Sequence, residues 1–343
     1  MILSKEELIR YSRQLVIPGI GPEGQHKLKA ARVAVIGAGG LGTLALGYLA
    51  GAGVGEIGVF DFGPLELSNL HRQLIYRTGD IGELKTELAK QRLLEINPEI
   101  RVNTHEGILT AENAINKACL ALAKTYVYGA VYRFEGQLTV FEPRNGPCLG
   151  CICPDTEALE NQACAEAGVM GPAAGAVASM QALEVLKLIL GLETLKGKFA
   201  MLDFRLANFS VIELKKREDC PVCGGRARLD RKFIASVSVN LITPEELKAR
   251  LDSASAPRVL DLRYEWERGL CHIKGDAWVD FNELIKGGAG LGPDEELVLY
   301  CKGQSKSAAA FKALRDKGYS KVSVLKGGID AWAEKIEKGM TRY

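Results

Sequence analysis

No uninterrupted apolar run in this 343-residue chain is long enough to cross a bilayer. The most apolar stretch, Ala176 to Leu190, is broken by Ser179, Gln181, Glu184 and Lys187, so it reads as a core helix rather than a membrane span. The opening residues, Met1-Ile-Leu-Ser-Lys-Glu-Glu, lack the basic and apolar regions of a secretory leader. Charge of one sign is also missing. With 44 Lys and Arg against 42 Asp and Glu, the net charge is +2, and no basic stripe with interleaved aromatics points to nucleic acid. The four histidines, His26, His71, His105 and His272, have no metal-ligand spacing, and there is no repeat or low-complexity tract. Nine cysteines without a leader favour metal or thiol chemistry over a disulfide framework, so a cytoplasmic protein is expected.

What is present is an α/β pattern in two parts. Ser4 and Glu7 are spaced as a capping box for an opening helix. Arg32 to Gly37, Glu56 to Asp61 and Arg101 to His105 read as strands. They alternate with helices over Gly40 to Ala52 and Lys85 to Ile96, the latter stopped by Asn97-Pro98. That alternation predicts a parallel sheet with crossover helices. A helical stretch over Ala111 to Lys124, strands over Tyr126 to Phe134 and Gln137 to Phe141, a cysteine-rich loop and the apolar helix follow. Residues 1–228 form the expected first domain, 229–240 a linker, and 241–343 a second small α/β domain. The latter has strands at Val259 to Arg263, Leu297 to Cys301 and Val322 to Leu325.

Gly37-x-Gly39-x-x-Gly42 lies between a strand and a helix, and Asp61 follows 19 residues later. The glycines permit a tight turn against phosphate, the helix N-terminus offers amide donors, and an acid about 20 residues on can hold a ribose. Asn69, Arg72 and Lys85 then add a donor and two cations, which suits a triphosphate better than a nicotinamide dinucleotide. Arg72 can stabilise charge that develops as pyrophosphate leaves.

Cys148-x-x-Cys151 and Cys220-x-x-Cys223, separated by 68 residues, are two chelating half-sites. Four thiolates satisfy structural zinc; a pair of redox dithiols is the rival reading. In the second domain, Cys301-Lys-Gly-Gln-Ser-Lys306-Ser307 joins a hydrophobic strand to a helix. Backbone amides, the helix dipole and Lys302 and Lys306 all favour an anionic sulfur there.

The runs Arg10-Tyr-Ser-Arg13-Gln14, Gly37-Ala-Gly-Gly40-Leu-Gly, Asp61, Ser68-Asn-Leu-His-Arg72-Gln and Lys85 together resemble the ThiF/MoeB family of the ubiquitin-activating enzyme superfamily. Tyr128-Gly-Ala-Val-Tyr-Arg-Phe-Glu-Gly136, both cysteine pairs and Cys164-Ala-Glu-Ala-Gly-Val-Met-Gly-Pro172 extend the resemblance over roughly the first two thirds of the chain. It implies a Rossmann-like adenylation domain with a zinc knuckle, using ATP and Mg2+ to adenylate the C-terminal glycine of a ubiquitin-like sulfur carrier ending in Gly-Gly. By the same resemblance Gly40, Asp61, Ser68, Asn69, Leu70, His71, Arg72 and Lys85 contact ATP. Arg13 reaches across a homodimer interface, and Cys164 holds the carrier as a thioester or acyl disulfide. The Cys301 loop, with Asp261-Leu-Arg263, His272-Ile-Lys-Gly275 and Gly327-Gly-Ile-Asp-Ala-Trp332, resembles a rhodanese domain, which implies a persulfide on Cys301. Lys306 stands where that family commonly has arginine, and a lysine loses the planar fork.

One departure stands out. The family carries an Asp-x-x-x-Asp-Asn-like motif on a strand, expected here between Glu112 and Asn116, and it is absent. Losing a central strand should break the sheet while the remaining pattern is intact, so an omitted segment is expected rather than a true deletion.

The resulting expectation is ATP-dependent adenylation of a sulfur carrier followed by sulfur transfer from Cys301, with a cysteine desulfurase or thiosulfate as donor. A non-catalytic carrier-binding scaffold and a nicotinamide-dependent dehydrogenase are the other readings. Molybdopterin, thiamine, cysteine and tRNA thiolation remain open as pathways.

Overall fold

The computed structural model describes residues 3–106, 112–143, 145–153, 168–220, 222–224, 239–253, 256–286, 290–292, 294–303 and 305–341. They fall into two compact units, the larger drawn from the chain up to residue 224 and the smaller running from 239 to 341. The expected linker, 229–240, lies almost wholly outside the described residues, as does Cys164.

The larger unit opens with helices α1 (Lys5–Arg10), α2 (Ser12–Leu15) and α3 (Gly21–Ala30). The capping box forms as expected: Glu7 N–H donates to Ser4 Oγ at 3.1 Å, and Ser4 N–H to Glu7 Oε2 at 2.8 Å. Then come β1 (Arg32–Ile36), α4 (Gly42–Ala52), β2 (Glu56–Asp61), α5 (Lys85–Ile96) and β3 (Arg101–Glu106). The helices end where the sequence stops them. Gly53 takes φ +84° after α4, and buried Asn97 ends α5 by donating to Tyr11 Oη and Ala50 O, each at 2.8 Å. β1, β2 and β3 pair in parallel in that order, and Leu46, Leu49, Ile57, Val59 and Leu93 fill the core between them and α4 and α5.

Beyond β3 the architecture changes. α6 (Glu112–Ala121) leads to β4 (Tyr126–Tyr132), β5 (Glu135–Phe141), the short α7 (Leu149–Ile152), α8 (Gly171–Leu190), β6 (Lys198–Asp203) and β7 (Asn208–Glu213). β4 to β7 form a separate four-stranded antiparallel sheet, so the parallel sheet is confined to three strands. Among the described residues the expected Asp-bearing strand has no counterpart between β3 and α6. Among the described residues β1 is the edge of this parallel sheet, and only residues 107–111, outside the described set, separate β3 from α6. A strand with its crossover needs a dozen residues or more. The sequence reading also missed β6 and β7, whose hairpin continues the antiparallel sheet.

α8 is long and apolar enough to span a membrane by length and composition alone. It packs instead against α4, β4 and β5, with Ala173, Ala174, Val177, Ala178 and Ala182 buried, as the core-helix reading anticipated.

The smaller unit contains β8 (Leu241–Ile242), α9 (Pro244–Leu251), β9 (Arg258–Asp261), α10 (Glu265–Leu270), β10 (Ala277–Trp278), α11 (Phe281–Lys286), β11 (Leu297–Tyr300), α12 (Ser305–Asp316), β12 (Val322–Leu325) and α13 (Gly328–Lys335). Its sheet is parallel throughout, ordered β10-β9-β11-β12-β8. β11 is central and wholly buried, which suits its uninterrupted Leu-Val-Leu-Tyr.

Candidate functional site

The turn after β1 is built for close backbone approach. Gly37 adopts φ +94°, and a Cβ on Gly42 would lie 1.7 Å from Gly37 O, so only glycine fits. Asp61, at the end of β2, clamps this turn: its Oδ2 accepts Ala38 N–H at 2.7 Å, and its Oδ1 accepts the N–H groups of Phe62 and Gly63. A carboxylate has about four lone-pair positions, so Oδ2 keeps capacity for a ribose hydroxyl. Asp61 therefore shapes the loop as well as facing it.

The Ser68 to Gln73 turn closes over the glycines. Arg72 packs its stem along Gly40, where an added Cβ would meet Cδ at 3.2 Å. Its guanidinium donates to Ser68 O at 2.9 Å; burial draws its pKa below the usual arginine value against the pull of Glu66. His71 Nδ1 lies 3.0 Å from the same carbonyl. Asn69 is buried, its Oδ1 accepting Glu66 N–H, while Leu70 packs on the core beneath. Lys85 opens α5 beside Gly63, with Nζ 3.8 Å from where a Cβ on that glycine would stand. Buried Gln73 has an Oε1 with no hydrogen-bond partner, on the same turn as Arg72. Gly171, at the start of α8, sits against His71 O, so the helix N-terminus abuts the turn. Gly40, Asp61, Ser68 to Arg72 and Lys85 thus lie around one turn. Arg13 is apart from them in this respect: it is exposed on α2.

The four expected metal cysteines converge. All four sulfurs lie within 4.8 Å of one another. Cys148 and Cys220 Sγ are 3.8 Å apart, and Cys151 and Cys223 Sγ 3.4 Å. A tetrahedral ion with bonds of about 2.3 Å to sulfur sets its ligands about 3.8 Å apart, so the donor set fits zinc. Short contacts run between the two knuckles, so the four sulfurs form one cluster rather than two separate dithiols, which disfavours the redox-dithiol reading. Burial pushes the Cys148 thiol up. Against burial, the N–H groups of Cys223 and Val222 bring Cys220 down to about 7. Asn116, on α6, meets this cluster; the sequence reading gave it no role.

In the smaller unit Cys301 follows β11 at the C-terminal edge of the sheet and is buried. Its Sγ lies 3.4 Å from Ser307 Oγ. Burial raises the thiol, while Ser307 and the N–H groups of Ser307 and Lys306 pull it back. Gly328 (φ +61°) brings its backbone against the carbonyls of residues 301–303, closer than any Cβ would allow. Lys306 Nζ stands 3.7 Å over the Tyr264 ring, a contact between neighbouring loops that the sequence did not reveal.

Comparison with known proteins agrees with these two sites. The ThiF family matches residues 11–117 and 108–222, in two stretches that meet at the junction between β3 and β4. The rhodanese-like domain matches residues 243–335. The chain is 38% identical to the probable adenylyltransferase/sulfurtransferase MoeZ of Mycobacterium tuberculosis, over 99% of this chain and 96% of that protein. It is 32% identical to the adenylyltransferase and sulfurtransferase MOCS3 of Culex quinquefasciatus, over 99% and 90%. The MoeZ match runs 382 residues against the 343 here, so at least 39 of its positions (382 − 343) have no residue in this chain. Among solved structures, Escherichia coli MccB shares the fold at 21% identity and a TM-score of 0.56, over 66% of this chain and 75% of that one. The chain belongs to the ThiF family and carries a C-terminal rhodanese-like domain.

Proposed function

We propose that this protein adenylates the C-terminal glycine of a ubiquitin-like sulfur carrier with ATP and then replaces AMP by sulfur carried on Cys301. The observation that carries the reading is the presence in one chain of a glycine turn framed by Asp61, Arg72 and Lys85 and a cysteine seated in a nest of amides. A carrier carboxylate oxygen attacks the α-phosphorus of ATP, and the bond to the β-phosphate breaks as pyrophosphate leaves. Arg72 and Lys85 balance the departing charge, and Mg2+ accompanies the triphosphate. The outer sulfur of the Cys301 persulfide then attacks the acyl carbon, expelling AMP. A cellular thiol cleaves the remaining S–S bond to free the thiocarboxylate, and a second thiol restores Cys301. Cys164 is the candidate for an acyl thioester. A cysteine desulfurase or thiosulfate supplies the sulfur. Zinc in the four-cysteine centre, a homodimer sharing Arg13, and a cytoplasmic setting complete the proposal.

The split parallel sheet favours a second reading of the first step. Among the described residues no strand pairs with the outer edge of β1, and a chain without the strand that would carry the aspartate binds carrier and nucleotide but activates slowly or not at all. Carrier-dependent ATP–pyrophosphate exchange, run with a panel of ubiquitin-like sulfur carriers ending in Gly-Gly, separates the two. Adenylation requires exchange, about 10²–10³-fold slower than in a relative with the full sheet if one charge-stabilising group is missing. No exchange despite carrier binding would make the first unit a scaffold, and tight NAD binding instead would revive the dehydrogenase.

A further inference from the structure

We propose that Asn116 is a positioning residue of the four-cysteine centre, its side-chain amide fixing the Cys148 knuckle for the metal from α6. This rests on the reading of Cys148, Cys151, Cys220 and Cys223 as a metal site. Asn116 is fully buried. Its Oδ1 accepts Tyr126 Oη–H at 3.0 Å and the N–H of Leu149, the residue after Cys148, at 3.3 Å. A backbone N–H can only donate, so Leu149 fixes the oxygen on its side and turns the nitrogen the other way. Both lone pairs of that oxygen are then used.

The nitrogen is the informative atom. Asn116 Nδ2 is buried and has no hydrogen-bond partner, a state that a folded chain rarely tolerates without a reason. The bond from Leu149 N–H, on the residue after Cys148, sets this amide against the knuckle that carries that sulfur. A thiolate held by a metal keeps a lone pair that can accept the N–H, and groups behind the ligands commonly orient them this way. One turn on, Leu120 packs against the same cysteines. Residues 116 and 120 thus put one face of α6 on the metal centre. That helix resumes the chain where the parallel sheet has stopped, and Asn116 ties it to β4 through Tyr126. The metal centre therefore anchors α6 against β4.

The test uses the full chain reconstituted with Zn2+, and with Co2+ as a spectroscopic probe. Asn116→Asp keeps an oxygen for Leu149 and Tyr126 but sets a second oxygen, not an N–H, against Cys148. It should weaken zinc binding about 10–100-fold against a competing chelator and shift the cobalt–thiolate charge-transfer band. Cys119→Ala, on the same helix but outside the cluster, should leave both unchanged. An Asn116→Asp protein with wild-type zinc affinity and cobalt spectrum would overturn the proposal. If Asn116→Asp does not fold, hydrogen exchange on the wild-type chain decides: removing zinc should speed exchange across 115–126 more than across 32–36, and equal rates refute it. A wild-type chain that takes up neither ion would sink the metal reading itself, and the proposal with it.

Discussion

β1 and β11 do the same task in different surroundings. Each is a parallel strand that delivers a functional loop at its C-terminal end, the glycine turn in one case and Cys301 in the other. β11 lies between β9 and β12 and every residue in it is buried. β1 pairs with β2 alone among the described residues, and Ile36, one residue before the glycine turn, is 40% exposed. A loop inherits its stiffness from the strand that feeds it. The sulfur site thus rests on a finished sheet and the nucleotide site on an open edge, the kind of edge that proteins usually cover or charge.

Four perturbations sharpen that contrast. Replacing Cys301 with alanine should reduce thiocarboxylate formation, followed by mass spectrometry, to background, because no other group in that loop can carry the sulfur. Arg72→Ala should slow ATP–pyrophosphate exchange by about 10²–10³-fold while leaving sulfur loading on Cys301 intact; equal loss of both would mean the variant unfolds the chain. Loading of sulfur onto Cys301 should climb with pH. Its thiol is raised by burial, so thiolate is scarce at neutral pH, and the rate should grow about tenfold per unit until it levels off above the ordinary thiol range of about 8.5. A plateau already reached below pH 8 would contradict the raised thiol. The smallest effect is in hydrogen exchange: alternate amides of β1 should exchange several-fold faster than those of β11, since only one side of β1 is paired.

Much of this was legible in the sequence because it depends on local chemistry. Gly37 to Gly42 must turn tightly whatever surrounds them, and two Cys-x-x-Cys pairs announce a tetrahedral donor set without any knowledge of the fold. Element boundaries followed from the alternation of strands with helices and from stops such as Asn97, which ends α5. What stayed hidden depends on pairing across distance. β7 exposes every residue, so its alternation marks no buried face. A lone Asn116 has no pattern until Leu149 and Cys148 are brought to it. The contact of Lys306 with Tyr264 exists only because β9 and β11 are neighbours. The missing aspartate was visible as an absence, and so was the break in the sheet that losing its strand would cause.

Activation and sulfur delivery are separate chemistries on separate units of one chain. Carrier-dependent ATP–pyrophosphate exchange by the Cys301→Ala protein tests this separation most directly. Exchange should run at the wild-type rate, with no thiocarboxylate formed. Loss of exchange in a folded Cys301→Ala protein would contradict it.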